Sequence, residues 1–374
     1  MTMHGAISRR AFLAAAGLAS CAPLPEPTTE EPEQPGLDAL ASAKGLHYGA
    51  AIQPRHLADQ AYAELVRHET GIIVGENAQN WHVLAPDTGL DYTGADALAD
   101  FARADSLLLR GHSLLWYARV PSWWDAIESR RIAEQAMLDH IARTVGRYRG
   151  RIVSWDVVNE AIEVADGRPD GLRRAVFLQR FGDGYLARAF TAARAADPAC
   201  QLVYNDYGFE YATSYYEQRR RALLGLLTRF RRDGTPVDAV ALQSHLIAGQ
   251  EFDAATWRRF LADIAAKNYR ILLTELDVTD VALPADIEAR DLAVADEYRR
   301  YLDATLDQPA VMSVLTWGLT DRWSWLRGPM APANRLRRDE GQARPLPFDE
   351  FLRRKPAWTA IAQAFAEAPP RPLA

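Results

Sequence analysis

Short apolar segments alternate with longer amphipathic segments along most of the chain. The apolar segments occupy residues 46–52, 71–77, 107–116, 152–160, 201–207, 238–246, 271–278 and 311–320. Apolar residues recur at helical spacing over residues 57–68, 94–104, 130–148, 184–196, 214–232, 254–267, 288–306 and 356–367. Buried strands that alternate with crossover helices are typical of a parallel sheet. Eight such units predict an α/β fold, a single (β/α)8 TIM barrel over residues 37–374.

Polar and aromatic residues collect at the ends of the predicted strands. They are Glu76, Asn77, His112, Trp116, Asn159, Glu160, Asn205, Tyr207, Gln243, His245, Glu275, Asp277 and Trp317. Successive strand residues alternate between faces, so Glu275 and Asp277 lie on the same side of their strand. The C-terminal ends of the strands carry the active sites of TIM barrels. We therefore expect these side chains to meet at one mouth of the barrel.

Two glutamates, Glu160 and Glu275, end different strands in this set. Glycoside hydrolysis requires one carboxylate to attack the anomeric carbon and one carboxylic acid to protonate the leaving oxygen. Amides suit sugar hydroxyls, and indole rings suit the apolar faces of sugars. The two strand-end histidines are far apart and lack the spacing of a helical zinc motif. The sequence therefore predicts a glycosidase that uses no metal and no cofactor.

Six short motifs occur in order along the chain. They are RGHSLLW at 110–116, WDVVNE at 155–160, QSH at 243–245, TELD at 274–277, WGLTD at 317–321 and SW at 324–325. LPFD at 346–349 and KPAW at 355–358 follow them. Together these motifs resemble glycoside hydrolase family 10, the retaining endo-β-1,4-xylanases, over roughly residues 45–367. The resemblance implies cleavage of β-1,4-xylosidic bonds in xylan or xylo-oligosaccharides by double displacement.

The resemblance also implies a role for each matched residue. Glu160 would be the general acid/base, Glu275 the nucleophile and Asn159 the donor to the sugar 2-hydroxyl. His245 would hydrogen-bond Glu275, and Asp277 would orient the His245 ring. The expected substrate-binding residues are Glu76, Asn77, His112, Trp116, Asn205, Tyr207, Gln243, Trp317 and Trp325.

Three residues depart from the family pattern. Asn80 stands where the family motif Glu-Asn-x-x-Lys-Trp has lysine, and Tyr117 and Arg119 replace the histidine and glutamine of Trp-His-x-Gln. We expect these three residues to bind substrate in one altered subsite on the non-reducing side of the cleaved bond. This leaves a second hypothesis open, in which the same mechanism acts on a decorated or non-xylan β-glycan. A third hypothesis, a non-catalytic glycan-binding surface lipoprotein, is disfavoured because both glutamates and Asn159 are present.

The composition agrees with a soluble globular enzyme. Hydrophobic residues make up 48% of the 374 residues and charged residues 25%, which leaves ample material for a core. The formal net charge is −6, whereas nucleic-acid binding needs clustered lysine and arginine. We therefore expect a polysaccharide or oligosaccharide partner, no nucleic acid, and a monomer.

The N-terminal residues predict export. Residues 1–21 resemble a twin-arginine lipoprotein signal, with Arg9 and Arg10 before a short apolar run and Cys21 closing a lipobox-like sequence. A general secretory signal with an incidental cysteine is the alternative. Residues 22–36 are rich in proline and glutamate and predict an extended linker. We thus expect a chain held at the cell envelope, in the periplasm or at the outer membrane, through lipid on Cys21.

Overall fold

The computed structural model describes residues 34–371, with the exception of Met330, Arg338 and Glu340. The described residues form ten strands: β1 His47–Ile52, β2 Ile72–Gly75, β3 Leu108–Gly111, β4 Leu115–Trp116, β5 Ser154–Asn159, β6 Gln201–Asp206, β7 Ala239–Leu242, β8 His245–Ile247, β9 Arg270–Thr279 and β10 Val311–Thr316. Eight of them are parallel and close into a barrel, in the order β10-β1-β2-β3-β5-β6-β7-β9, because β9 also pairs with β10. The short strands β4 and β8 pair with β5 and β9. The predicted (β/α)8 TIM barrel is confirmed.

Two of the eight predicted strands are interrupted near their C-terminal ends. The 107–116 segment divides into β3 and β4, and the 238–246 segment divides into β7 and β8. In the first gap, the side chain of Gln79 accepts a hydrogen bond from the His112 backbone N–H (3.2 Å), so a side chain replaces a strand partner. In the second, Ser244 has a φ of 66°, which breaks an extended chain. Both interruptions redirect the chain at a histidine of the predicted site.

The helices surround the barrel. They are α1 Leu37–Ser42, α2 Gln60–Glu69, α3 Trp81–Leu84, α4 Thr93–Ala104, α5 Arg130–Arg147, α6 Val176–Phe181, α7 Tyr185–Ala196, α8 Ser214–Arg232, α9 Ala254–Ala265, α10 Ile287–Leu306 and α11 Pro356–Glu367. The eight predicted helices are present within about three residues, whereas the short helices α1, α3 and α6 have too few turns to show a period. None of the helices in the described residues could cross a membrane, since none is both long and apolar enough.

Most of the core lies between the barrel and the helices. Trp124, Trp155 and Trp257 are almost completely buried there, and apolar side chains of this size supply much of the stabilisation. Cys200 is also buried and unbonded to another cysteine. Three other tryptophans, Trp116, Trp317 and Trp325, are only partly buried.

Ion pairs hold the long segment that follows β10 against the barrel. Lys355 donates to Asp321 (2.9 Å), and Arg344 makes two hydrogen bonds to Asp291 (2.9 and 2.8 Å). These charges are at most about one-tenth exposed, where paired charges must be well matched to offset desolvation. The first pair links the WGLTD and KPAW motifs, and the second joins the segment between them to α10, so together they fix the loop that carries Trp325.

Candidate active site

Glu275 lies near the C-terminal end of β9 and is held from two sides. Asn205 Nδ2 donates a hydrogen bond to Glu275 Oε1 (2.7 Å), and His245 Nε2 lies 3.3 Å from Glu275 Oε2. His245 Nδ1 is 2.8 Å from Asp277 Oδ1, and Trp325 Nε1 donates to Asp277 Oδ2 (2.6 Å). A carboxylate fixed in this way is suited to attack an electrophilic carbon.

His245 supplies the positive charge that balances the carboxylates of Glu275 and Asp277. Burial alone would lower the pKa of His245, but the carboxylates of Asp277 and Glu275 outweigh burial and raise the pKa to about 9. The ring is therefore an imidazolium at neutral pH. This cation faces the carboxylate of Glu275, with His245 Nε2 3.3 Å from Glu275 Oε2, and balances its negative charge.

Glu160 follows β5 and is in a different environment. Trp116 Nε1 donates to Glu160 Oε2 (3.0 Å), and Gln243 Nε2 donates to Glu160 Oε1 (3.2 Å). Burial raises the pKa of Glu160, and the nearby charges of Asp206 and Glu275 raise it further. Glu160 is therefore protonated more readily than an ordinary glutamate, as the role of a general acid requires.

An amide network connects the two glutamates. Asn205 Nδ2, which bonds Glu275, also donates to Asn159 Oδ1 (2.9 Å). Gln243 Nε2 reaches Asn159 Oδ1 (3.3 Å) as well as Glu160, and Thr274 Oγ1 donates to Asn205 Oδ1 (2.8 Å). The predicted residues Asn159, Asn205 and Gln243 are therefore brought together, and they fix the two carboxyl groups relative to each other.

A second histidine–aspartate pair lies on the β2–β3 side of the mouth. His112 Nδ1 is 2.9 Å from Asp156 Oδ2, and Arg110 Nη2 donates to Asp156 Oδ1 (2.5 Å). Burial would lower the pKa of His112, but Asp156 and Glu275 raise it overall. With Nδ1 engaged by Asp156, His112 has Nε2 left for a sugar hydroxyl. The centroid of the His112 ring lies 6.1 Å from that of Trp116 and 5.3 Å from that of Trp317.

Glu76 closes the same side at the end of β2, next to the half-buried Asn77. Gln53 Nε2 donates to Glu76 Oε2 (2.6 Å). Burial raises the pKa of Glu76 to about 7, although Gln53 and the charge of Arg55 oppose the rise. The strand-end pattern could have identified Gln53, since this residue directly follows β1.

The structure corrects the expected grouping of Asn80, Tyr117 and Arg119. Asn80 is fully buried, and its side-chain oxygen accepts from the Ser113 hydroxyl (3.1 Å), so Asn80 does not line the mouth. The guanidinium of Arg119 lies over the Trp116 ring, 4.8 Å from its centroid. Tyr117 instead lies under the guanidinium of Arg173 (4.3 Å). The three residues do not form one pocket because the Asn80 amide is too short to leave the core and Tyr117 turns towards Glu160.

Tyr117 belongs to an opposite wall, the β5–β6 wall, formed by Tyr117, Arg173, Tyr207 and Arg219. Arg173 Nε donates to the Glu160 backbone oxygen (2.9 Å), and Arg173 Nη2 donates to the Tyr207 hydroxyl (3.0 Å). Arg219 Nη2 donates to Asp206 (2.6 Å) and its guanidinium lies over the Tyr207 ring. Sequence reasoning missed both arginines because neither follows a strand.

Two further predictions concern a bound metal ion and the lipidated cysteine. The described residues hold no cluster of three or more histidine, cysteine, aspartate or glutamate residues that could bind a metal ion. Cys21, the predicted lipidation site, lies outside the described residues, as do the signal and nearly all of the linker.

Comparison with known proteins gives one consistent family. The model of glycosyl hydrolase family 10 matches residues 36–364. Endo-1,4-beta-xylanase 1 of Humicola insolens is 32% identical over 341 residues, which cover 90% of this chain and 75% of that protein. Endo-1,4-beta-xylanase D of Talaromyces funiculosus is 33% identical, over 88% of this chain and 77% of that protein. The crystal structure of xylanase 10B from Thermotoga maritima superposes with a TM-score of 0.78 at 28% identity, covering 88% of this chain and 98% of the other.

Proposed function

The chain belongs to glycosyl hydrolase family 10, and we propose that it cleaves β-1,4-xylosidic bonds in xylan or xylo-oligosaccharides with retention of configuration. The two similar fungal proteins are named endo-1,4-beta-xylanases. The proposal rests on one observation: two carboxyl groups in the same hydrogen-bond network have different electrostatic environments. Glu275 faces the imidazolium of His245, whereas burial and neighbouring negative charge favour the protonated form of Glu160.

The reaction proceeds in two displacements. In the first, Glu275 attacks the anomeric carbon and Glu160 gives its proton to the leaving oxygen, so that a glycosyl ester forms as the glycosidic bond breaks. In the second, Glu160 takes a proton from water, the water oxygen attacks the anomeric carbon, and Glu275 leaves as a carboxylate. Asn159 Nδ2 lies 3.5 Å from Glu160 Oε1 and would donate to the sugar 2-hydroxyl.

The two sides of the barrel mouth would bind different parts of the substrate. Glu76, Asn77 and His112 on the β2–β3 side, together with Trp317 after β10, would bind the sugars that are transferred. The β5–β6 wall lies beside the acid Glu160, so it would receive the leaving group.

Two alanine variants test these roles. Glu275→Ala should remove both steps, whereas Glu160→Ala should keep the first step on aryl β-xylobiosides whose leaving groups need little protonation. Glu64→Ala, on the exposed side of α2, is the control. Full activity of Glu275→Ala on xylan, or equal loss by both variants on activated aryl substrates, would overturn the assignment.

A decorated substrate is the second candidate. The guanidinium of Arg119 lies over Trp116 at the mouth and is only partly buried. This planar donor group is suited to a carboxylate or to a pair of hydroxyls. The altered surface therefore consists of Arg119 and Trp116, without Asn80.

Arg119→Gln tests this second candidate. If Arg119 binds an acidic substituent, the variant should lose about tenfold in kcat/KM on a glucuronic-acid-substituted xylo-oligosaccharide and little on linear xylotetraose, since one charge-assisted hydrogen bond contributes about 1.5–3 kcal/mol. An unchanged ratio of the two constants would favour plain xylan. A glycan-binding protein without activity would show no turnover of either compound, and the intact pair of glutamates opposes that reading.

We further propose that the chain is exported by a signal in residues 1–21, carries lipid on Cys21 and presents its barrel on a linker at residues 22–36. The paired arginines and the lipobox-like sequence support this proposal. Cys21→Ser should release the protein from the membrane fraction of a bacterial host. A wild-type protein that is already free of lipid and membrane would contradict the anchor.

A further inference from the structure

A groove lies outside the barrel mouth, between α8 and the loop at residues 164–172. It has a volume of about 560 Å³, and we call it the α8 groove. Its lining contains four arginines, Arg168, Arg221, Arg229 and Arg232, but only one acidic residue, Asp170. No residue assigned to catalysis above belongs to the lining.

Small residues make the floor of the α8 groove. Gly171 has a φ of 70°, and a Cβ there would lie 2.5 Å from the Cβ of Ala222, so glycine lets the loop approach the helix. Gly225 lies about one turn further along α8, and a Cβ at that position would have no heavy atom within 4 Å. The helix surface is therefore open at Gly225, with arginines on either side. Arg221 and Arg232 are about 16 Å apart along the helix axis.

All four arginines pair with acids: Arg168 with Asp170 (2.6 Å), Arg232 with Asp233 (2.7 Å), and the other two with Asp183 and Glu217. A ligand could replace the more exposed of these acids. Arg229 donates to Asp183 (2.8 Å), and Arg221 lies 3.2 Å from Glu217. The side chains of Asp183 and Glu217 are 55% and 57% exposed, and ion pairs of this kind contribute little to stability. Exchanging these partners for a ligand carboxylate is therefore inexpensive. Guanidinium groups bind carboxylates in a planar, two-point geometry.

The groove is connected to the leaving-group side of the site. The loop that forms one wall begins just after Glu160, and Glu163 N–H donates to the Gly171 oxygen (2.9 Å). Arg173, which follows the loop, donates to the backbone oxygen of Glu160. A chain that leaves the mouth along the β5–β6 wall would pass over this loop towards α8.

We infer that the α8 groove is a second binding site for the substrate polymer and that it recognises the carboxylates of uronic-acid substituents. This inference rests on the proposed function for the identity of the polymer. A membrane surface is the less suitable occupant, because none of the exposed large apolar side chains of the described residues lines the groove. Surface binding of this type is electrostatic and weakens with salt.

Matched variants separate the groove from the active site. Arg221→Gln combined with Arg229→Gln removes two cations, and Arg131→Gln removes an exposed arginine of α5 as a control. Gly225→Tyr fills the floor, and Gly225→Ala is its control because alanine also favours the helix but leaves the groove open. All are made in the full chain with Glu275→Ala, so that the polymer stays intact. Retention is measured in gels containing glucuronoxylan or the same polymer after reduction of its carboxyl groups.

The double arginine variant and Gly225→Tyr should bind glucuronoxylan about threefold to tenfold more weakly than their controls. The double arginine variant should match its control on the reduced polymer. Equal retention of variants and controls on glucuronoxylan would overturn the inference, and so would arginine-dependent binding to anionic phospholipid vesicles without polymer binding.

Hydrolysis of an aryl β-xylobioside by the chain with an intact Glu275 tests the proposed function separately, because none of the residues assigned to catalysis lines the α8 groove. Activity on the aryl substrate together with unchanged polymer retention would refute the groove alone. Loss of retention in the variants without any hydrolysis would refute the proposed function alone.

Discussion

Two histidine–aspartate pairs flank the catalytic centre, and their difference explains how one mouth can both bind sugar and carry out chemistry. In each pair the aspartate gives one oxygen to histidine Nδ1 and the other to a second donor. For Asp277 that donor is the neutral indole of Trp325, and for Asp156 it is the guanidinium of Arg110. Both rings lie beside indoles, His112 next to Trp116 and Trp317 and His245 next to Trp317 and Trp325. His245 differs in that its Nε2 also lies 3.3 Å from Glu275.

The choice of second donor determines where the positive charge lies. Trp325 leaves the charge of Asp277 uncompensated, so His245 must supply the cation for two carboxylates, and its pKa rises to about 9. Arg110 already compensates Asp156, whose pKa is lowered by Arg110 and His112 despite burial. The first pair therefore serves the nucleophile, and the second pair holds His112 for substrate binding.

The largest expected effect is a fall in the free energy of unfolding when the second donor to either aspartate, Arg110 or Trp325, is removed. Arg110 and Asp156 are each 1% exposed, so Arg110→Met leaves a buried charge poorly compensated and should cost about 3–5 kcal/mol. Trp325→Phe removes one donor from Asp277, which keeps its bond to His245, and should cost about 1.5–3 kcal/mol. Urea unfolding of the two variants checks this order. Equal losses would show that the two pairs are equivalent.

The next effect separates the histidines in catalysis. His245→Asn removes the cation beside Glu275 and should lower kcat about 10²- to 10³-fold, the usual loss for one preorganised group. His112→Asn should mainly raise KM for xylotetraose, because it alters contacts made in both the ground state and the transition state. Steady-state kinetics of both variants provides the measurement. A larger fall in kcat for His112→Asn would reverse the assignment.

The raised pKa of His245 has a consequence for stability against pH. Since the folded-state pKa of about 9 exceeds the ordinary value of 6.5, the stabilisation is complete below pH 6.5 and is lost as the pH rises through 9. The loss should reach about 3 kcal/mol at most. Unfolding midpoints between pH 6 and 10 should therefore fall more steeply for the wild type than for His245→Asn. Parallel curves would exclude a charged His245.

The smallest expected effect concerns the acid. The indole N–H of Trp116 stabilises the carboxylate form of Glu160, so Trp116→Phe should raise the pKa of Glu160 further. The alkaline limb of the kcat profile should then move to higher pH, while Arg131→Gln should leave it in place. A shift to lower pH would show that another group controls this limb.

The barrel could be predicted from the sequence because eight apolar strand segments alternate with eight segments of helical period, and a barrel needs little more than that pattern. The sequence also predicted Glu275, Glu160 and their amide neighbours, since these residues end strands. Short structures such as α3 were missed because four residues make barely one turn.

Other parts of the site depend on contacts between distant segments. Arg173 acts through the backbone oxygen of Glu160, and no local pattern reveals such a bond. Asn80 lies in the core rather than at the mouth, because a residue that differs within a binding motif need not lie on the binding surface. In the structure the asparagine side chain points into the core, where it accepts a hydrogen bond from Ser113. A sequence motif does not show how deeply each of its residues is buried.

The central claim is that Glu275 and Glu160 act as nucleophile and acid/base in a double displacement. The most direct test is the anomeric configuration of the first sugar released from an aryl β-xylobioside, followed by proton NMR before mutarotation. The account predicts that the β-anomer appears first and that the α-anomer grows only by later equilibration. Initial release of the α-anomer would contradict it.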